Sequence, residues 1–339
     1  MEKSKVYFTS MKTSFSENLP QKLERLMKTA GIGSIDFKNK YAAIKIHFGE
    51  PGNLAFLRPN YAAVVVKVVK ELGGKAFLTD CNTLYVGGRK NALDHMDAAY
   101  QNGFSPFSTG CHVIIADGLK GTDEVLVPVE GGEYVKEAKI GRAIMDADVF
   151  ITLNHFKGHE ATGFGGALKN IGMGCGSRAG KMEMHSAGKP HVDQTHCVGC
   201  GRCIGVCPMD AVCPASDESN DILNCKIAEY SKAVVSGRPN FHISLVIDVS
   251  PNCDCHAEND IPIVPDVGMF ASFDPVALDV ACADAVNRQP VISGSQLDRM
   301  PHVHHDHFID SAPETNWHSC IEHAVKIGLG SDQYELIEI

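Results

Sequence analysis

The sequence lacks the features that mark membrane, secreted and nucleic-acid-binding proteins. Its longest apolar run, Ala62 to Val69, is interrupted by Lys67 and is far too short to cross a bilayer. Its first residues, MEKSKVYFTSMKTSFSENL, contain no apolar stretch of signal-peptide length. Acidic residues outnumber basic ones by 41 to 31, so the net charge of -10 implies no basic surface for nucleic acid. These absences predict a cytoplasmic protein with neither a membrane nor a nucleic acid as partner.

Cysteine, in contrast, is abundant and closely spaced. The 339 residues include 13 cysteines, an odd number, and the densest group has gaps of two residues. In a chain of this length such spacing suits metal binding in a reducing compartment better than disulfide bonds. The remaining composition, 44% hydrophobic and 21% charged, is that of an ordinary globular protein.

Short apolar runs alternate with amphipathic stretches along most of the chain, and this alternation predicts an α/β fold with mostly parallel strands flanked by helices. The runs form either one body or two α/β lobes. Asp274 and Pro275 begin one helix as its N-cap and first residue. The predicted strands are Val6–Phe8, Ala42–Ile46, Ala76–Leu78, Val113–Ala116, Val149–Leu153 and Ser244–Ile247. The other predicted helices are Asn18–Ala30, Tyr61–Leu72, Asn91–Gln101, Gly141–Asp146, Asp221–Ser236 and Trp317–Ile327.

Polar turns follow several of the predicted strands. His47-Phe48-Gly49-Glu50, Asp80-Cys81-Asn82 and Asn154-His155 each come directly after an apolar run. Ligands of open parallel sheets bind at the carboxyl ends of the strands, so these turns are the natural place for a site.

The pattern changes between residues 172 and 216, where glycine, cysteine and histidine replace the apolar periodicity. We interpret this stretch as a ferredoxin-type cluster-binding insertion. The α/β body then consists of residues 1–171 and 217–339.

The insertion carries a run typical of bacterial ferredoxins: Cys197, Cys200, Cys203 and Cys207, the last followed by Pro208. Two-residue gaps let three thiolates converge from one loop onto a 4Fe–4S cluster. The alternative, a zinc knuckle, would have two C-x-x-C pairs set further apart. The third cysteine at the same interval, followed by Cys-Pro, therefore favours a 4Fe–4S cluster.

A two-cluster ferredoxin would repeat the run, and no second run follows Cys207. Either Cys207 completes one cluster, or a distant thiol does and Cys207 serves a second cluster. The candidate thiols are Cys175, Cys213, Cys225, Cys253 and Cys255, of which Cys213 and Cys225 suit buried apolar positions equally well. Cys253-Asp254-Cys255-His256 follows a predicted strand and offers three ligands for a metal ion within four residues.

A second dense segment runs from Asn154 to His185 and is rich in histidine, lysine and glycine. Glycine allows backbone amides to approach a ligand, and Lys169 suits an anion contact or, if desolvated, a nucleophile. The spacing matches neither a P-loop nor a dinucleotide fingerprint. The alternative is a flexible glycine turn before a helix. We expect His159 and Lys169 to be catalytic, and Gly165, Gly166, Lys169 and Asn170 to bind a cofactor.

These residues resemble an uncharacterised domain-of-unknown-function family labelled as iron–sulfur-cluster-binding, or Fe–S centre, proteins. The likeness covers nearly the whole chain and implies a bound cluster. Its features are His159 through Gly-Gly-x-x-Lys169-Asn170 to His185, the cysteine run, Pro265-Asp266-Val267-Gly268, Asp274-Pro275-Val276-Ala277-Leu278-Asp279 and the ending from Ile327 to Ile337.

A fainter resemblance is to lactate racemase and its relatives, in which a Gly-Gly-x-Lys lysine tethers a nickel-pincer nucleotide. In that family a catalytic histidine lies ten residues before the lysine and a nickel ligand sixteen after it. Here His159 precedes Lys169 by ten and His185 follows it by sixteen. The resemblance implies a proton-transfer base at His159, a tether or anion contact at Lys169 and a metal ligand at His185. The Gly-Gly pair lies one residue further from the lysine here, so the resemblance implies a related pocket more than nickel.

Other polar groups allow two interpretations. His302, His304, His305 and His307 suit either a divalent metal or an exposed loop. Asp279, on a predicted helix, is equally well explained as a surface charge.

Together these observations predict an iron–sulfur redox protein, hence an oxidoreductase. It would pass electrons to or from a small molecule or cofactor in the His/Lys/Gly-lined pocket. One alternative is a metal-dependent, lactate-racemase-like isomerase or lyase acting on a small anionic substrate. The other is a non-enzymatic electron carrier or subunit that docks on a redox partner protein.

Overall fold

The computed structural model describes residues 3–85, 87–185 and 219–339. The predicted cluster ligands Cys197, Cys200, Cys203 and Cys207 lie outside these ranges, as does Cys213. The iron–sulfur insertion therefore stays a prediction. No helix in the described ranges has both the length and the apolar character needed to cross a membrane.

The described residues form one eight-stranded, mostly parallel sheet flanked by helices, which confirms the predicted fold class. The strand order is β12-β1-β11-β10-β7-β2-β3-β4, and only β11 runs antiparallel to its neighbours. The eight strands are β1 (Ser4–Ser10), β2 (Tyr41–Lys45), β3 (Lys75–Asp80), β4 (Val113–Ile115), β7 (Val149–His155), β10 (Asn240–Val246), β11 (Gly268–Ser272) and β12 (Tyr334–Glu338). Two hairpins accompany them: β5 (Glu124–Pro128) with β6 (Glu137–Gly141), and β8 (Lys157–His159) with β9 (Gly163–Gly165).

Helices cover both faces of the sheet, and alternate residues of each central strand enter one of two cores. In β7, Val149, Ile151 and Leu153 point into one core, whereas Phe150 points into the other. Burial on both faces explains why the strands read as nearly continuous apolar runs. The helices are α1 (Leu19–Thr29), α2 (Pro59–Glu71), α3 (Ala92–Gln101), α4 (Pro106–Thr109), α5 (Arg142–Met145), α6 (Ala167–Cys175), α7 (Arg178–His185), α8 (Asn220–Val235), α9 (Pro275–Asn287), α10 (His307–Ser311) and α11 (His318–Lys326).

The predicted elements are present with ends shifted by a few residues at most. The expected cap of α9 is confirmed, because the Asp274 carboxylate accepts the backbone N–H groups of Val276 and Ala277 at 2.9 and 3.1 Å. Strands β11 and β12 and the two hairpins were not predicted.

The described part of the predicted insertion, residues 172–185, is helical and packs on the body. Gly172 lies so close to α8 that a Cβ there would meet the Ile227 carbonyl oxygen at 2.2 Å, and Met184 of α7 is fully buried. The boundary of a separate cluster-binding unit stays a prediction.

Candidate functional site

A cavity of about 450 Å³ opens at the carboxyl ends of β2, β3, β7 and β10, where polar turns were expected to converge. It brings together residues from six separate stretches of sequence. Its polar lining includes Lys45, His47, Glu50, Asp80, Arg89, Lys157, His159, Glu160, Lys169, Asn170, Lys181, His185, Cys253, Cys255 and His256. The predicted catalytic pair, the predicted metal ligand His185 and the C-x-C pair therefore share one cavity.

One end of the cavity is built around the sulfur of Cys253. Its Sγ lies 3.2 Å from the Lys169 ammonium, and the Cys255 backbone N–H points at it from 3.5 Å. Hydrogen bonding from Cys255, followed by the charges of Lys169 and Lys157, lowers the pKa of Cys253 well below its usual value despite burial. Burial would lower the pKa of Lys169, but the two sulfurs raise it. The geometry thus favours a thiolate paired with an ammonium, and a charged Lys169 suits an anion contact better than a nucleophile.

Buried polar contacts hold the C-x-C loop in place. The Asp254 carboxylate lies 2.9 Å from His155 Nδ1 and 3.5 Å from Lys157 Nζ, and all three side chains are almost fully buried. Burial would raise the pKa of Asp254, but His155 and Lys157 outweigh it and hold the pKa below its usual value. Gly158 allows β8 to approach this loop closely, because a Cβ at position 158 would lie 2.6 Å from the Pro251 carbonyl oxygen. The β8 turn therefore packs directly against the loop that carries both cysteines.

The cluster of cysteine, histidine and glutamate at this end has the ligand chemistry to hold a metal ion. Ligand atoms of His159, Cys253 and Cys255 lie within 4.8 Å of one another, and those of Glu160, Cys255 and His256 do likewise. Thiolate and imidazole are ligands for zinc and for other thiophilic transition metals. Cys255 belongs to both groups.

The hydrogen bonds of His159 distinguish between the two groups. Its Nδ1 accepts the backbone N–H groups of Ala161 and Thr162 at 3.0 and 3.2 Å. A neutral ring with Nδ1 accepting carries its proton on Nε2 and acts as a donor there. Metal-bound histidine normally donates through its other nitrogen, so this arrangement suits a proton donor to Cys253 better than a metal ligand.

Two histidines of the cavity, His159 and His185, are held neutral. Burial and then the Lys169 charge lower the pKa of His159, and the same two causes lower the pKa of His185 to about 4. The His185 ring also packs edge-on against Tyr85, with centroids 5.3 Å apart. Neutral imidazoles can accept a proton or ligate a metal ion.

The other end of the cavity carries cations, most of them paired. Lys45 lies 2.9 Å from Asp80, and Arg89 lies 2.7 Å from Glu50. Lys181 differs, because its Nζ donates to the Gly176 carbonyl oxygen at 2.6 Å and no carboxylate of the described residues pairs with it. Lys169, which contacts the Cys253 sulfur, and Lys181 therefore form no ion pair with a carboxylate among the described residues.

The glycine-rich segment is a hairpin followed by α6 rather than a flexible turn. The N-terminus of α6 rests on the fully buried Asp279, which accepts the N–H groups of Ala167 and Leu168 at 2.6 and 2.9 Å. The surface-charge interpretation of Asp279 is wrong, because this carboxylate caps a helix more than a hundred positions away. A Cβ at Gly166 would meet Asp279 Oδ1 at 2.3 Å, so packing alone requires that glycine. Cofactor binding by Gly165 and Gly166 stays a prediction.

Asn170 fastens α6 to the sheet. Its amide oxygen accepts Lys45 Nζ at 2.6 Å and its amide nitrogen donates to Asn154 at 2.7 Å. Lys169, the preceding residue, thereby faces the cavity from a fixed helix.

Some candidate residues lie elsewhere. Cys175 is buried in the core, and Cys225 is half-buried on α8. Among the described residues no three ligand atoms converge in the histidine-rich run, where His304 contacts Asp310 and His307 contacts the Gln289 carbonyl. His302 and His305 are exposed there.

The sequence did not point to Lys45, Arg89, Glu160 or Lys181. A lysine inside the apolar run Ala-Ala-Ile-Lys-Ile was a usable signal for Lys45, since burying an unpaired ammonium is costly. Arg89 and Lys181 gave no comparable signal, because charged residues on loops and helices usually face water.

A family profile described as "Domain of unknown function (DUF362)" matches residues 42–284. The match covers most of the chain, which belongs to this family.

One curated relative is a thylakoid-associated protein of Synechocystis sp., 28% identical over 131 residues. The match covers 37% of this chain and 35% of the relative, so the chain spans about a third of that protein's length.

Two solved structures are similar in fold. The lactate racemase apoprotein of Thermoanaerobacterium thermosaccharolyticum aligns with 67% of this chain and 49% of its own, at 15% identity and a TM-score of 0.40. A Thermotoga maritima protein from structural genomics aligns with 79% of this chain and 58% of its own, at 14% identity and a TM-score of 0.44. With TM-scores below 0.5, neither likeness extends to activity or ligands.

The buried contact of Asp279 with the N-terminus of α6 predicts a measurable pH dependence of stability. Burial is the largest influence on its pKa and raises it from 3.8 to about 7, against the opposing effect of the Leu168 and Ala167 N–H groups. Between pH 4 and 7 the folded chain then keeps a proton that the unfolded chain has released, so stability falls as pH rises, by roughly 4 kcal/mol at most. Asp279→Asn should remove this contribution and flatten the fall in unfolding free energy measured by urea denaturation.

Above pH 8 the two proteins should show parallel curves, which serves as the internal control. Equal slopes between pH 4 and 7 would mean that Asp279 remains ionised in the folded protein.

Proposed function

We propose that this member of the DUF362 family is a cytoplasmic oxidoreductase with a metal ion and a small anionic molecule bound in its cavity. Electrons would pass between this cavity and a 4Fe–4S cluster on Cys197, Cys200, Cys203 and Cys207. The observation that carries the proposal is the meeting of soft sulfur ligands and ammonium groups in one cavity.

The metal ion would be held by sulfur. Cys253 and Cys255 supply two thiolates, and His256 or Glu160 complete the coordination, whereas His159 donates a hydrogen bond to Cys253. Glu160 and His256 already face each other at 3.0 Å, a contact in which a metal ion can replace the shared proton. A resident metal would supply Lewis acidity to a bound oxygen atom.

The small molecule would be an anion. Lys169 and Lys181 line the cavity and form no carboxylate ion pair within the described ranges, although the chain as a whole carries a net charge of -10. Charge of one sign in a cleft with low-dielectric walls concentrates ligands of the opposite sign. A small carboxylate fits this environment and leaves its reacting carbon near the sulfur end.

The residues that flank the cysteine run in the sequence support the proposed electron exchange. His185, the last described residue before the run, and Asn220, just after it, both line the cavity. Their position favours electron exchange with a molecule in the cavity over exchange at a distant surface.

Metal analysis of anaerobically purified full-length protein tests the two metal centres separately. The wild-type chain should contain about four iron and four sulfide ions per cluster and one further metal ion. Cys200→Ala should lose the broad visible absorbance and the sulfide but keep the further ion. Cys253→Ala should keep the absorbance and lose the further ion, because one of its two thiolates is gone.

Cys225→Ala removes a half-buried thiol outside the cavity and should change neither content. Colourless wild-type protein with stoichiometric zinc alone would remove the iron–sulfur part of the proposal. An unchanged metal content in Cys253→Ala would contradict the proposed metal ion in the cavity.

Binding of malonate, measured by isothermal titration calorimetry, tests the anion site. Lys181→Met should weaken binding about tenfold, or 1.4 kcal/mol, the scale of one hydrogen bond to a charged group. Added salt should weaken binding to the wild-type chain for the same reason.

Lys12→Met removes an exposed lysine that does not line the cavity and should leave malonate affinity unchanged. Equal losses in the two variants would mean that malonate responds to overall charge rather than to the cavity.

A second candidate, a metal-dependent isomerase or lyase, is favoured by one observation. His159 and His185 are both held neutral in the same cavity, with Lys169 close enough to influence each. The neutral His185 ring can accept a proton and the Nε2–H of His159 can donate one, and such a pair beside an anion contact suits removal and return of a proton on a carbon next to a carboxylate.

Incubation with lactate in deuterated water separates the two functions. Deuterium at the carbon that carries the hydroxyl, in protein whose cluster has been removed by Cys200→Ala, would favour the isomerase. Electron transfer to the small molecule that is lost in Cys200→Ala, without deuterium exchange, would favour the oxidoreductase.

A further inference from the structure

We propose that Cys253 and Cys255 form a reversible dithiol–disulfide couple that reacts with small disulfides carrying carboxylate groups. This activity is separate from metal binding and cluster chemistry, although it uses the sulfurs of the same loop. The argument starts from their spacing. Consecutive Cα atoms lie 3.8 Å apart, so residues one position removed are within about 7.6 Å, close to the range that a disulfide spans. Their Sγ atoms already lie within 4.8 Å of each other.

The loop holds both sulfurs toward the cavity. Asp254, between them, is fixed by His155 at 2.9 Å, and its carbonyl oxygen accepts the Glu50 N–H at 2.9 Å. With the middle residue fixed, the two side chains can approach each other by rotation about their own Cα–Cβ bonds. Among the described cysteines that line the cavity, Cys253 and Cys255 are the two separated by a single residue.

The two cysteines differ in a way that assigns their roles. Cys255 is accessible to a molecule in the cavity, whereas Cys253 is 1% exposed and its sulfur contacts the Lys169 ammonium at 3.2 Å. A cation beside a sulfur stabilises its thiolate. Cys255 is therefore the sulfur that an incoming disulfide meets, and Cys253 is the resolving thiolate.

The reaction balances in two exchanges. The Cys255 proton passes to Cys253 as the Cys255 sulfur attacks R–S–S–R, so that one S–S bond breaks, a mixed disulfide forms and the first R–S⁻ leaves. That R–S⁻ takes the proton from Cys253, and the Cys253 thiolate then attacks the Cys255 sulfur and expels the second R–S⁻. The two cysteines lose two electrons to the substrate, and their single proton ends on the first R–SH.

The charges around the pair select the substrate class. Lys169 and Lys181 face the cavity, and no carboxylate in the part of the chain that the structure describes forms an ion pair with them. A disulfide that carries carboxylates is therefore attracted where a cationic one is repelled. A metal ion on the two thiolates would block this reaction, and disulfide formation would in turn prevent metal binding.

Peptide mapping by mass spectrometry after exposure to oxidised glutathione tests the proposal on the reduced full-length protein. The wild-type peptide spanning Cys253 and Cys255 should lose two hydrogen atoms and regain them with excess dithiol. Cys253→Ser should accumulate a glutathione adduct on Cys255, because the resolving sulfur is absent. Cys255→Ser should form neither product. Lys169→Met should slow the second exchange roughly tenfold, so that the mixed disulfide becomes visible.

Cys225→Ser serves as the matched control and should leave the peptide's oxidation unchanged. A stable adduct on Cys255 in the wild-type chain, or thiols that stay reduced in the absence of metal, would overturn the proposal. Adding zinc separates this proposal from that of the metal site. Zinc that slows oxidation supports both proposals, whereas oxidation that zinc never affects contradicts only the proposed metal ion. Zinc that binds to a protein whose cysteines stay reduced once zinc is removed contradicts only the dithiol–disulfide couple.

Discussion

The buried contact of Asp254 with His155 and Lys157 is the interaction on which the candidate site depends. A carboxylate in this position is costly unless cations and hydrogen bonds compensate it. Its partners belong to β7 and β8, whereas Asp254 follows β10, so the contact fixes the ends of two neighbouring strands relative to each other. Cys253 and Cys255 flank Asp254, so the contacts that fix Asp254 also position the two cysteines. Without this contact the loop that carries the two sulfurs would be held mainly by hydrogen bonds to its backbone, such as that from the Glu50 N–H to the Asp254 carbonyl oxygen.

A second buried carboxylate plays the corresponding part on the opposite wall. Asp279 of α9 receives the first N–H groups of α6, and Asn170 of α6 connects that helix to Lys45 of β2. Lys169 stands between these two attachments and reaches Cys253. The contact between the Lys169 ammonium and the Cys253 thiolate thus joins two walls, each of which is fixed by a buried carboxyl group. Rigid support of this kind is what a site needs if its geometry is to be set before a ligand arrives.

The sequence predicted the fold and part of the site for a common reason. Strands buried on both faces read as apolar runs, and in a parallel sheet their carboxyl ends meet, so His159, Lys169 and the C-x-C pair could be expected near one another. Asp279 could not be assigned, because its partner is a helix terminus more than a hundred residues away and burial of a charge leaves no local pattern. Lys181 was missed for the same reason, since a lysine on a short helix ordinarily faces solvent.

The sulfur pair connects the parts of the proposed chemistry. A thiolate held by Lys169 can ligate a metal ion or attack a disulfide, but the same lone pair cannot do both at once. In the proposed function, metal occupancy of the cavity would therefore depend on the redox state of the two cysteines. Nearby charge and hydrogen bonding set a cluster's potential, so the charge on these sulfurs would also influence a cluster that exchanges electrons with the cavity. Metal binding, anion binding and electron transfer would then influence one another through the same two sulfurs.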